Sequence, residues 1–217
     1  MNNLIAQSDV YTISSGELIF SGANIQRNEN NVQTDMRFTA FLHLGEYVHV
    51  DFNNFIGIYS GLALRNVGIL TKDDENEIDN YEKVVRRSYN LGIPLAFKLG
   101  VLKKNIYLFG GGEYEMLFHY KEKYWIDGDK HKTSQWFSNK TNRFVPSLFA
   151  GVHFQGGMTV QFKYYLDDFL NDSYLKKDDD YTTFNESRVF YVSLCWQFRT
   201  GEFWKKIDKE FFEIASR

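Results

Sequence analysis

The feature that most limits what this chain can fold into is an alternation of period two, held over unusually long runs. In "VRRSYNLGIPLAFKL" the residues Tyr89, Leu91, Ile93, Leu95, Phe97 and Leu99 alternate with Ser88, Asn90, Gly92, Pro94, Ala96 and Lys98. In "VQTDMRFTAFLHL" Val32, Thr34, Met36, Phe38, Ala40, Leu42 and Leu44 alternate with Gln33, Asp35, Arg37, Thr39, Phe41 and His43. Successive side chains of a strand point to opposite faces, so each run predicts a strand with one apolar face and one polar or small face. The pattern recurs in "NIYLFGGGEYEMLFHY", "FVPSLFAGVHF", "MTVQFKYYL" and "VFYVSLCWQF", and less cleanly in "GELIFSGANI" and "FIGIYSGLALRN". Eight strands are expected, at 16–26, 32–44, 54–68, 83–99, 105–120, 143–155, 157–166 and 187–199. Several exceed the usual five or six residues.

The connections alternate in character. Those after strands 2, 4 and 6 read "GEYVHVDFN", "GVLKKN" and "QG"; those after strands 3, 5 and 7 are long and polar, at 69–82, 120–142 and 167–187. Turns on one rim and long loops on the other is the layout of a transmembrane barrel with both termini on the turn side. An even number of antiparallel strands also joins up without exposed edges. The expected fold is therefore all-β, an eight-stranded antiparallel up-and-down transmembrane β-barrel over residues 16–200.

Composition narrows the classes. A chain of 217 residues suffices for one domain with a sizeable core. Its formal charge of −3 offers no basic footprint, so no nucleic-acid partner is expected. One cysteine excludes both a disulfide framework and a cysteine-based zinc site. No run of 18 apolar residues is present, which excludes a transmembrane helix. It does not exclude strands that cross a bilayer, because alternating strands keep mean hydropathy low, here −0.41.

The stretches "GELIFSGANI", "NNVQTDMRFTAFLHLG", "DFNNFIGIYSGLALRNVG" and "YNLGIPLAFKLG…KKNIYLFGGGEYE" carry a resemblance to the eight-stranded outer-membrane β-barrel proteins of Bacteroidota-type envelopes, over about residues 10–200. The resemblance implies location and fold: the outer membrane of a Gram-negative bacterium. Adhesins and accessory subunits of larger outer-membrane machines occur in such families. It brings no catalytic signature, and the expectation is a protein that is not an enzyme.

The choice of inner face decides what the charges do. If the apolar parity faces lipid, Asp35, Arg37, Arg65, Lys98, Glu113, Glu115 and Lys163 fall in the lumen, with Arg86 beside them and glycines such as Gly92 where space is tight. An eight-stranded interior is about wide enough for side chains alone. Buried charges are costly unless paired, so an internal ion network is required, with Glu113 and Glu115 paired to Arg37, Arg65 or Lys98. The two glutamates also invite a catalytic reading, because side chains at i and i+2 of a strand share a face ~7 Å apart. The inverse arrangement, a soluble lipocalin-like barrel with an apolar interior and a lipophilic ligand, fits the same alternation. A small-solute channel is a further alternative. Strand length, loop asymmetry and the positions of Tyr89, Tyr120, Tyr124, Trp125 and Trp204, where interfacial girdles are expected, favour the membrane reading.

The remaining motifs are weaker. "GGG" at 110–112 lies within a strand with no helix after it, so close packing explains it better than a phosphate loop. The five histidines lack metal-ligand spacing, and the acidic stretches "KDDENEID" and "KKDDDY" match no calcium loop; no metal or cofactor is expected. Residues 1–15 read as an N-terminal segment whose "LIAQ" resembles the tail of a secretion signal. In 201–217 Phe203, Ile207, Phe211 and Ile214 fall on one helical face, which predicts a short amphipathic helix. Outer-membrane lipid is the expected surrounding, and a protein partner is expected through loops 69–82, 120–142 and 167–187 or the tail 203–217.

Overall fold

The computed structural model describes residues 8–72, 83–126, 129–176 and 179–200. The expected tail helix, with Trp204, lies outside the described residues, as does most of loop 69–82. The strands are β1 (Asp9–Arg27), β2 (Asn30–Asn31), β3 (Arg37–Thr39), β4 (Leu44–Asp51), β5 (Ile56–Lys72), β6 (Lys83–Val101), β7 (Ile106–Ile126), β8 (Asp129–Trp136), β9 (Phe144–His153), β10 (Met158–Tyr165), β11 (Leu175–Lys176), β12 (Asp179–Asp180) and β13 (Phe184–Arg199). All pairings are antiparallel, in the order β13-β10-β9-β7-β6-β5-β4-β1, and β1 pairs in turn with β13 from Ile13 to Arg27. The polypeptide is all-β, and its hydrogen-bond ladder runs back to its first strand.

Burial separates the two faces of this sheet. On β6, Phe97 is 66% exposed while its neighbours Ala96 and Lys98 are 0% and 1%. Leu91, Ile93, Leu95, Leu99 and Val101 are exposed with Phe97, and Ser88, Asn90 and Lys98 are buried. On β6 the large apolar side chains therefore point outward and polar or small ones inward, the reverse of a lipocalin-like wall. From Leu91 to Val101 the outward band spans ten residue steps, ~33 Å along the strand; at a tilt of ~40° it stands about 25 Å tall, the height of an outer-membrane apolar band. A water-soluble protein rarely exposes contiguous apolar surface beyond a few hundred Å².

Four expectations need correction. Strand 1 begins at Asp9, so residues 9–15 belong to the sheet and not to an N-terminal segment. The stretch "GEYVHVDFN" is no turn: Leu44–Asp51 is β4, with Tyr47 and His49 buried and Val48 exposed, and the chain reverses after it at Phe52–Phe55. The second strand is instead broken between Thr39 and Leu44. Thr39 pairs with Ile19 and Leu44 with Gly16, so five steps on one strand match three on the other. A two-residue excess leaves the parity unchanged, which is why alternation reads straight through the break. His43 turns inward there, its Nδ1 accepting from the Asn66 amide at 3.2 Å and its Nε2 lying 3.2 Å from Thr39 Oγ1.

The other two corrections concern the loops. Loop 120–142 is largely a ribbon, the end of β7 paired with β8 from His119–Trp136 to Ile126–Asp129. Loop 167–187 folds inward: Phe169, Leu170, Tyr174, Tyr181 and Phe184 join Ile19, Val67, Tyr120 and Tyr191 in one buried cluster. Polar bonds hold this loop down. Asn142 Nδ2 donates to the Asp168 carbonyl at 2.8 Å, and the Phe169 amide to the Ser187 carbonyl at 3.0 Å. A second aromatic cluster, with Tyr47, Tyr59, Tyr107, Phe109 and Phe149, fills the turn-side end.

Candidate functional site

The interior between the two aromatic layers is ionic. Arg65 of β5 reaches Glu17 of β1, with Nη2 3.0 Å from Oε1, and on the other side donates to Glu113 of β7. Lys163 of β10 lies 2.5 Å from Glu113 and 2.8 Å from Glu115. Arg65 is also 4.0 Å from Glu115. Three carboxylates face two cations, a surplus of one negative charge, and neutral donors answer it. Tyr165 OH donates to Glu115 at 2.7 Å and Asn90 Nδ2 at 3.0 Å. Arg65 Nη2 also donates to Tyr47 OH at 3.2 Å. All five charged groups are buried. Gly92 makes room for them, because a Cβ there would sit 1.9 Å from Glu113 Oε1.

Two smaller clusters flank this centre. Toward the turns, Lys98 donates to Asp51 and, at 3.1 Å, to Tyr11 OH, with His49 Nδ1 at 3.1 Å. His49 stacks between Tyr11 and Tyr59, with centroids 5.2 and 4.8 Å away. Toward the loops, Glu122 lies 3.2 Å from Arg86 and 3.1 Å from Lys140, and accepts from Tyr181 OH at 3.3 Å. Tyr120 and Tyr181 hydroxyls are 3.1 Å apart.

The expected lumen set is thus divided. Arg65, Glu113, Glu115 and Lys163 come together; Lys98 belongs to the turn-side cluster. Arg37 is buried but bonds Asn66, its Nη2 3.0 Å from Oδ1. Asp35 is a correction: it pairs with Lys72 at the surface, with side chains 37% and 43% exposed. Register keeps Arg37 from the ionic centre, because it pairs with Ser21 of β1, four residues from Glu17. Glu17, Asp51 and Glu122 lie outside the expected lumen set, and their cation partners come from other strands: Arg65 of β5, Lys98 of β6 and Arg86 of β6.

The expected interface residues divide as well. Tyr89 lies on the outward face, stacked on His119 at 5.5 Å, and Trp125 lies beneath Lys83 and Lys130 at 5.5 and 5.3 Å. Tyr120, at 1% exposure, is a core residue, which corrects its assignment to the girdle. The cause is a one-residue bulge. Tyr89 pairs with His119 and Asn90 with Leu117, so Phe118 is extra and the parity of β7 flips above it. His119 and Lys121 therefore face out, and Tyr120 and Glu122 face in.

Chemically, the ionic centre holds itself together. Both carboxylates of the 113/115 pair are bound to cations, and the thiol of Cys195 is buried beside Ser193. Among the described residues no group of three or more His, Cys, Asp or Glu side chains is placed to hold a metal ion.

No family model and no curated protein matches this chain. Among solved structures it is similar to Ail, the attachment invasion locus protein of Yersinia pestis, at 12% identity and a TM-score of 0.38, covering 87% of this chain and 98% of that one. It is similar to Neisserial surface protein A at 8% identity and 0.39, over 89% and 99%. It is also similar to the outer membrane protein OprG from Pseudomonas aeruginosa at 10% and 0.39, over 88% and 96%.

Proposed function

We propose that the chain is an outer-membrane β-barrel protein of a Gram-negative bacterium. It is not an enzyme, and it serves as a surface-binding protein or an accessory subunit of a larger outer-membrane assembly. The observation that supports this reading best is the inverted distribution of side chains, with Lys98 and Glu115 at 1% and 0% exposure inside and Phe97 at 66% outside. In water that arrangement forfeits the hydrophobic driving force; in a bilayer it is the stable one.

A filled interior disfavours transport. Glu17, Arg65, Glu113 and Lys163 come from β1, β5, β7 and β10 and meet across the lumen, and aromatic clusters lie at both ends. What is left for function is the outer rim and the lipid-facing wall, which suit recognition of a partner. Expression behind a secretion signal, followed by fractionation and gel electrophoresis with and without boiling, tests the membrane assignment. Recovery in the outer-membrane fraction with a band that shifts on boiling is expected; a detergent-independent soluble monomer overturns it. The accessory role is tested by cross-linking in intact cells, where a defined envelope protein bound in constant ratio is expected and a lone chain refutes it.

A further inference from the structure

On the loop side, the outward face of β6, β7 and β8 carries cations that no acid among the described residues matches. Cross-strand register places Arg87 opposite Lys121, Lys123 opposite Lys132, and Trp125 between Lys83 and Lys130. Directly opposed residues share a face, so Arg87, Lys121, Lys123, Lys130 and Lys132 form one patch three strands wide. Among the described residues none of the five has a carboxylate partner, whereas Arg86, Glu122 and Lys140, facing inward at the same level, are mutually paired. The patch bears the marks of an unmet charge. Partial desolvation first, then Arg87, Lys130 and Lys132, hold the Lys123 ammonium below the usual lysine range. Arg87 Nε is buried and bonds nothing.

Its position says what kind of anion would meet it. Immediately below the cations runs an aromatic row, Tyr89, His119 and Trp136, with rings stacked at 5.5 and 4.1 Å. Below that begins the lipid-facing band at Leu91, four residues from Arg87, or roughly 13 Å along β6. From the bilayer outward the wall is apolar, then aromatic, then cationic.

We propose that this patch binds the phosphorylated headgroup of an outer-leaflet glycolipid. The acyl chains would lie along Leu91, Ile93 and Tyr114, the sugar against Tyr89 and Trp136, and the phosphates on Arg87, Lys121, Lys123 and Lys132. Guanidinium and ammonium groups are suited to phosphate, and phosphates relieve the repulsion that the lysines impose on one another. A soluble polyanion has no reason to select a patch seated on the lipid-facing band. The proposal rests on the outer-membrane reading.

The test uses the full chain folded in detergent, with bisphosphoryl lipid A and fully dephosphorylated lipid A of the same acyl composition as probes in mixed micelles. The expected preference for the phosphorylated form is roughly 10- to 100-fold. It is lost in the triple variant Lys121→Gln, Lys123→Gln, Lys132→Gln, and kept when the same positions become Arg. It is also kept in Lys103→Gln, Lys104→Gln on the turn rim. Folding of every variant is read from the band shift on boiling. An unchanged preference in a folded triple variant overturns the site. Displacement of lipid A by equimolar inorganic pyrophosphate, or equal binding of a heparin fragment, replaces it with a general anion site. A wild-type chain that shows no band shift sinks the barrel reading, and the site with it, so the two failures are told apart.

Discussion

Removing the Arg65 side chain strands the buried carboxylate of Glu17 and leaves Glu113 to Lys163 alone. Breaking one partner of a buried pair costs more than the pair contributes, because a desolvated charge is stranded. Arg65→Met is therefore expected to destabilise the folded chain by about 3–5 kcal/mol in urea unfolding from micelles. A change below about 1 kcal/mol would mean that solvent reaches the centre. Gly92 is expected to be intolerant for a steric reason. Ala there places Cβ 1.9 Å from Glu113 Oε1, whereas at Gly110 the nearest atom to a new Cβ is 3.5 Å away. Gly92→Ala should lower stability by about 1–3 kcal/mol and Gly110→Ala by much less. Equal unfolding midpoints for the two would contradict this packing.

At the scale of an element, the bulge at Phe118 decides which residues of β7 meet the outside. It inverts the parity that Tyr114 and Met116 establish, sending Lys121 and Lys123 out and Tyr120 and Glu122 in. A water-soluble maleimide should modify Lys121→Cys in the folded protein and leave Tyr120→Cys untouched until denaturant is added. Faster labelling of Tyr120→Cys than of Lys121→Cys would show β7 to be unbulged. The break between β3 and β4 behaves differently. Its excess of two residues restores the original face, so Phe38 and Leu44 both remain outward across it.

For the whole molecule, the inward fold of the segment after β10 fills the loop-side end of the interior. Leu170 and Tyr181 are buried at 1% and 3%, and no porin-like conductance is expected in a planar bilayer. Leu170→Asp puts a carboxylate into that cluster and should loosen the loop-side stopper, read as faster proteolysis within 167–187. Steady ohmic conductance in the wild type would refute a filled lumen. Loops 69–82, 120–142 and 167–187 were equal candidates for partner recognition by length and polarity. The third is now engaged with its own barrel, and the second presents a ribbon face rather than a free loop.

Alternation by itself determined the all-β class and which residues of an unbulged strand share a face, since period two is a property of each strand alone. Arg65, Glu113, Glu115 and Lys163 could be assigned to the interior on that basis. Their actual partners could not, because Glu17, Arg65, Glu113 and Lys163 sit on four different strands and register alone brings them within bonding distance. Tyr120 was misassigned because a single extra residue leaves no trace in composition yet reverses every side chain beyond it. Tertiary structure also decided the fate of loop 167–187, whose aromatic residues are scattered among acids and lysines. Only a lumen mouth of matching shape, already lined by Ile19, Val67 and Tyr191, gives them a place to bury.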